Sequence, residues 1–207
     1  DILICDPEGE YTPLVSALGG SVIRSAVGGM DWVNAMEIER GYGDGNPVAV
    51  KSQFIMSLLK QLDKDGVGPH QKSIIDRCVS MVLEEQKQRN SVPTLCTLRD
   101  KLLEQPEAEA QGIALTMELY TSGSLDIFAH ETNVDTKNRI TSYDIHSLGE
   151  DLKQPGFVTI TDAMLNRVNY NWAHGKKTHI FVDEFHIAYE NEYSASFFTS
   201  AWRQFRK

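Results

Sequence analysis

Apolar positions run without a break through Ile2-Leu3-Ile4-Cys5 and stop at Asp6-Pro7. A short continuous run of this kind suits a strand buried on both faces of a parallel sheet. Proline ends it, because it has no N–H for the ladder and disfavours a helical residue before it. Tyr11 to Leu18 reads as a short helix closed by Gly19-Gly20, and Ser21-Val22-Ile23-Arg24 as a second strand. Strand, helix and strand in that order are the unit of an α/β fold. Gly28-Gly29 and the stretch from Gly41 to Pro47 mark irregular connections.

The pattern then changes period. Val50, Phe54, Leu58 and Leu62, with Ile55 and Leu59 beside them, recur at helical spacing, and so do Ile74, Ile75, Cys78, Met81 and Val82. Leu95 to Leu103 and Ala108 to Tyr120, the latter preceded by Pro106, predict two more helices. Four amphipathic helices without an intervening strand predict an all-helical subdomain from Asn46 to Asn133, inserted into a sheet domain made of residues 1–45 and 134–207. Strand character returns at Arg139 to Asp144. A helix is predicted from Gly156 to about Trp172. Thr178-His179-Ile180-Phe181-Val182 is the strongest strand pattern in the chain and runs straight into Asp183-Glu184. A last helix, from about Ser194 to Lys207, carries Phe197, Phe198, Ala201, Trp202 and Phe205.

Composition narrows the class. The 207 residues are 41% hydrophobic and 24% charged, which excludes wholesale disorder, and no apolar run approaches the length of a membrane span. Twenty Lys and Arg against 29 Asp and Glu leave a net charge of −9, so the chain is no general nucleic-acid coat, and contact with DNA would need a local basic surface or other subunits. Cys5, Cys78 and Cys96 are widely spaced and form no CxxC pair, which favours reduced thiols and a cytoplasmic setting. The chain opens on Asp1-Ile2-Leu3 without Met or a signal-like segment, and the expectation is a piece excised from a longer protein.

Ile180-Phe181-Val182-Asp183-Glu184 has the form of a Walker B motif. An apolar strand ending in an acid fixes that acid at the strand tip, where an Asp can hold Mg2+ through a coordinated water. A neighbouring Glu can orient or deprotonate the water that attacks a γ-phosphate. An ordinary strand running into an acidic helix start is the plainer alternative. Two runs approach a Walker A, Gly45 to Lys51-Ser52 and Gly66 to Lys72-Ser73, but neither has the second glycine. A side chain there would crowd the backbone that wraps the phosphates, so both are read as unrelated to phosphate binding. The six histidines show no HExxH or paired-Cys spacing that would make a zinc site; strand alternation sets His179 and Asp183 on one face, away from His186. The acidic runs at Glu84-Glu85 and from Glu104 to Glu109 read as solvated helix faces. Arg203, Arg206 and Lys207 either solvate a helix end or supply an arginine finger to a neighbouring subunit, with Arg167 a lesser candidate for that role.

Ile4-Cys5-Asp6-Pro7-Glu8-Gly9-Glu10-Tyr11 resembles the strand-end motif that follows the P-loop helix in the conjugative-transfer and type IV secretion ATPases, hexameric P-loop motors related to the HerA and FtsK translocases. The resemblance continues through Leu18 to Arg24, Gly123 to Phe128, Tyr143-Asp144-Ile145, Leu148-Gly149 and Asn166-Arg167. It closes on Ile180 to His186 and Trp202 to Lys207. It departs at Val33-Asn34-Ala35-Met36-Glu37, where the family has an Asn-Pro-Met-Asp-like run.

The resemblance implies a partial RecA-like P-loop NTPase sheet with an inserted helical subdomain, its P-loop upstream and a Gln-bearing sensor strand downstream of these residues. It implies an ATPase using ATP and Mg2+, with Asp183 placing the metal, Glu184 activating water, Asp6, Glu8 and Glu10 lining the nucleotide face, and Arg203 acting between subunits. It also implies a homohexamer working with secretion or conjugation channel proteins, and with DNA where DNA is the cargo, at the inner face of the bacterial cell membrane. A chromosomal translocase of the HerA or FtsK type, and a non-catalytic interaction domain that keeps the fold, are the alternatives.

Overall fold

The computed structural model describes residues 1–62, 67–189 and 192–205. Four strands, β1 (Ile2–Asp6), β2 (Ser21–Arg24), β3 (Ile140–Asp144) and β4 (His179–Val182), form one parallel sheet in the order β2-β3-β1-β4. Register aligns Asp6 with Asp144 and Arg24, and Cys5 with Val182, so all four strands end along one edge.

Alternation divides the sheet's faces. Leu3, Cys5, Ile23 and Tyr143 join the main core, with Ile180 and Val182 packed against it. Ile2 and Ile4 point to the other face, where the short helix α1 (Thr12–Ala17) buries Val15 next to Ile140. Buried strands in the middle of a parallel sheet explain the unbroken apolar run at β1. β4 departs from the buried strand expected of it: it stands at the sheet's edge, and its outward Phe181 is 54% exposed. The run reads apolar because one face, Ile180 and Val182, packs on the core.

Helices α2 (Pro47–Leu62), α3 (Pro69–Arg89), α4 (Leu95–Leu103) and α5 (Ala108–Thr121) occupy the middle of the chain as the apolar spacing predicts. Phe54, Ile55, Leu58 and Leu59 of α2 are buried, as are Ile74, Ile75, Cys78 and Val82 of α3, whereas Met81 is exposed. A reciprocal cap sets the start of α4: Thr94 Oγ1 accepts from the Thr97 N–H, and Thr97 Oγ1 accepts from the Thr94 N–H. One continuous buried cluster runs through the strands and all these helices.

The long helix α6 (Glu150–Ala173) begins six residues before the predicted start and carries Pro155 in its second turn. Proline there forfeits one hydrogen bond near a helix end, where the loss is least disruptive. Gly156 follows because a Cβ at that position would lie 2.2 Å from Leu148 Cδ1. Close packing on the preceding 3-10 turn (His146–Leu148), not a helix boundary, therefore accounts for the glycine.

The last helix, α7 (Glu192–Phe205), buries Phe197 and Phe198, with Phe197 against Phe54 of α2 at 5.7 Å between ring centroids. The side chain of Phe205, with Arg206 and Lys207, lies outside the described residues.

At the centre of these contacts Lys51 is fully buried. Its Nζ pairs with Asp162 Oδ2 of α6 at 2.5 Å and donates to the Ala35 carbonyl at 3.0 Å. The Tyr42 hydroxyl donates to Asp162 Oδ1, and the ammonium lies 4.8 Å from the centroids of the Tyr42 and Phe54 rings. Burial pushes the Asp162 carboxyl up and the Lys51 ammonium down, while their attraction opposes both shifts. Removing one partner strands the other in the core. Lys51→Met is therefore expected to lower unfolding free energy by about 3–5 kcal/mol, and Lys51→Met with Asp162→Leu by clearly less. Urea unfolding of both variants checks this; equal losses would mean that shape, not the unpaired charge, sets the cost.

Candidate functional site

The strand ends bring several of the sequence-predicted residues to one edge. Asp6 ends β1 and is fully buried; its Oδ1 accepts the Glu10 N–H at 3.1 Å and its Oδ2 the Tyr11 N–H at 3.0 Å. Both oxygens are thus engaged in shaping the loop of residues 7–11, and Asp6 acts on that loop from within instead of facing solvent. Gly9, at φ +73, makes the turn possible, and a Cβ on it would meet both Asp144 carboxylate oxygens at 3.5 Å. Glu8 is exposed and pairs with Lys153 of α6 at 3.3 Å; Glu10 is exposed.

Asp183 continues the end of β4 next to β1, its N–H donating to the Cys5 carbonyl at 3.1 Å. Its Oδ1 accepts the Glu184 N–H at 2.9 Å, and its other oxygen has no hydrogen bond among the described residues. One committed oxygen and one uncommitted one fit an acid that holds a metal-bound water. No group of three or more metal-ligating side chains occurs among the described residues. A divalent ion here would therefore take most of its ligands from water and phosphate, as Mg2+ does.

Glu184 adopts φ +48, which only Asn90 shares among described residues other than glycine. Asn tolerates that region, whereas for Glu it stores roughly 1–3 kcal/mol of backbone strain. Its Oε2 lies 3.0 Å from His186 Nδ1. Strand alternation, which set His186 apart from His179 and Asp183, does not extend this far: β4 ends at Val182 and the chain turns through Glu184 into the 3-10 segment Phe185–Tyr189.

Other residues of the resembling segments join this edge without having been assigned a role. Asp183, aided by burial, Asp6 and Glu10, holds the Tyr11 phenol above its ordinary pKa, and burial with Asp6 and Asp183 does the same to the Cys5 thiol. Asp144, mostly buried at the end of β3, accepts the His146 N–H at 3.1 Å and lies 4.0 Å from Arg24 Nε. Only the strand register brings these groups to the edge.

One expectation changes and another holds. Arg167 is no arginine finger: it is buried, with Nη2 on Asp1 Oδ2 at 2.7 Å and on the Lys137 carbonyl at 2.9 Å. Asp1 precedes β1, so the pair stands at the opposite end of the sheet from Asp183. Lys51 is held in the core by Asp162 and is unavailable to a phosphate, as its lack of the second glycine implied. Gly66 lies outside the described residues; Lys72 sits exposed in the first turn of α3, which packs on α2, α4 and α5. Arg203 is exposed near the end of α7. A hollow of about 590 Å³ among Ile38, Pro47, Val48, Leu83, Val92 and Pro93 is not at the strand ends.

A parallel sheet with acids along one edge, helices on its faces and a long helical excursion defines a RecA-like α/β fold. The structure of VirB4 of Thermoanaerobacter pseudethanolicus has this fold, with a TM-score of 0.81 and 18% sequence identity over 99% of this chain and 83% of that one. No protein-family model and no curated protein matches the sequence.

Polyphosphate is held chiefly by a glycine-rich backbone cradle and a free lysine, and neither lysine run here supplies them. The 207-residue chain is expected to show no saturable ATP binding by calorimetry at sub-millimolar nucleotide, with or without Mg2+. Micromolar affinity would reveal a phosphate site elsewhere in the chain.

Proposed function

We propose that this chain is the acidic half of an ATPase core from a type IV secretion or conjugation motor. The observation that carries the reading is Asp183-Glu184 at the tip of a parallel strand, within a fold that superposes on VirB4 along almost its whole length. The sequence resemblance reaches the same class from short segments spread along the chain. ATP is the substrate, and Mg2+, held at Asp183, would neutralise charge on its phosphates. Glu184 Oε would take a proton from the attacking water. Asp6 would set the loop that presents Glu8 and Glu10 to the nucleotide face, and Arg203 would reach the γ-phosphate of an adjoining protomer. Residues 46–133 would form a helical subdomain. In the intact protein these parts would work in a homohexamer beside channel proteins at the inner membrane face, moving protein or DNA. No helix among the described residues is long and apolar enough to cross a membrane.

A second reading is an interaction domain that keeps the fold without hydrolysis, since neither lysine run of this chain has the glycine pattern of a phosphate cradle. The two diverge on steady-state ATP hydrolysis by the full-length protein. Glu184→Gln should lower turnover roughly a hundredfold while leaving ATP binding intact. Undiminished turnover in that variant would remove Glu184 from its role, and no turnover in the wild type would favour the interaction domain.

The trans role of Arg203 is open to a mixing test. Full-length Arg203→Ala is combined with subunits lacking the P-loop lysine, each inactive alone; partial recovery in mixed rings is expected. Co-assembly without recovery would place Arg203 outside the neighbouring site.

A further inference from the structure

We propose that His186 is a positioning residue, its Nδ1–H holding the carboxylate of Glu184 in place for proton transfer. The inference rests on Glu184 being the base assigned above. Glu184 Oε2 and His186 Nδ1 are 3.0 Å apart. The histidine side chain is 70% exposed and that of Glu184 40%, so the pair adds little to stability, as exposed ion pairs do. Its value is geometric. A glutamate turns about three side-chain bonds, and a charge-assisted hydrogen bond from a fixed donor selects one arrangement.

The donor is fixed because its backbone is pinned on both sides. Phe185 lies edge-on to Phe198 at 4.8 Å and to Trp202 at 6.1 Å, both on α7. Ile187 is 1% exposed, its N–H bonds the Glu184 carbonyl at 2.9 Å, and its own carbonyl accepts from Gln154 Nε2 of α6 at 3.2 Å. Glu184 meanwhile keeps a left-handed backbone that glutamate seldom adopts. A strained residue retained at a strand tip, with its one side-chain partner mounted on a rigid turn, is how a fold aims a functional group. Nδ1 donates both in imidazolium and in the Nδ1–H neutral tautomer, so the contact needs no change of charge.

The test uses ATP hydrolysis by the full-length protein and three substitutions. Asparagine places an N–H donor about where Nδ1 stands; phenylalanine keeps the ring and removes the donor. His186→Phe is expected to lower kcat about tenfold with KM for ATP unchanged, and His186→Asn to restore most of the loss. Wild-type kcat in His186→Phe would overturn the proposal. So would equal losses in the Phe and Asn variants, or a rise in KM at constant kcat, which would mark a contact to nucleotide. Glu184→Gln separates this failure from that of the parent reading. If it abolishes turnover while His186→Phe is silent, only His186 is misassigned; if it leaves turnover intact, the base assignment falls and the role of His186 with it. In the Glu184→Gln background His186→Phe should add no further loss, and additive losses would also overturn the proposal.

Discussion

The buried Lys51–Asp162 pair is the constraint around which the molecule is arranged. A charge of each sign, both withdrawn from water, tolerates little displacement, because any loosening exposes an unpaired ion to an apolar core. The pair fixes α2 against α6, and through the Ala35 carbonyl and the Tyr42 hydroxyl it also fixes two points of the long connection after β2. Helical segment and sheet layer share one core instead of two. The connection between them is held again by Asn34, whose side chain donates to the Pro93 carbonyl and accepts the Met36 N–H, and whose own N–H bonds Thr132. This is the segment where the sequence departs from the pattern it otherwise resembles, and Asn34 gives it an order of its own.

From this centre α6 carries the constraint in both directions. At 24 residues it is about 36 Å long. Its middle holds Asp162. Towards its end Arg167 and Asn171 grip Asp1, and Asn171 also bonds Thr178, so the starts of β1 and β4 are tied to the same rod. Near its beginning Gln154 and Lys153 reach the Ile187 carbonyl and Glu8. The acids at the strand ends are therefore supported from behind by the helix whose midpoint is locked in the core. Such support lets carboxylates sit close together at an edge without the loops that carry them collapsing.

Much of this was legible in the sequence, and the limits have physical causes. Period distinguishes helix from strand wherever one face is buried, so β1, β2, β3 and the helices from α2 to α5 could be placed. It fails at Pro155-Gly156, since a proline in a helix's second turn and a glycine that makes room for Leu148 both look like a break in the local pattern. It overstates β4, because an apolar residue on an uncovered face looks the same in sequence as one in a core. The Asp183-Glu184 pair was readable because strand tip and motif coincide. That Asp144 and Arg24 stand together beside Asp6 was not, since only register across separate strands assembles them. Lys51 illustrates the reverse error. A lysine followed by serine invites a phosphate reading, and the missing second glycine was the local sign against it; the positive explanation, Asp162, lies 111 residues away.

The same burial that disqualifies Lys51 bears on how the strand ends are coupled to the rest of the fold. A nucleotide at the strand ends would act on Glu184 and the turn after it, and that turn is attached to α7 by the Phe185, Phe198 and Trp202 rings and to α6 by Gln154. Both helices pack on α2, which leads into the helical segment. Had these attachments been loose surface contacts, a displacement at the turn would dissipate within it. Aromatic packing at one end and a buried ion pair at the other resist such loss, because neither yields gradually: each is either kept or broken at a cost. The described residues therefore form one continuous packed path from the acids at the sheet's edge to α2.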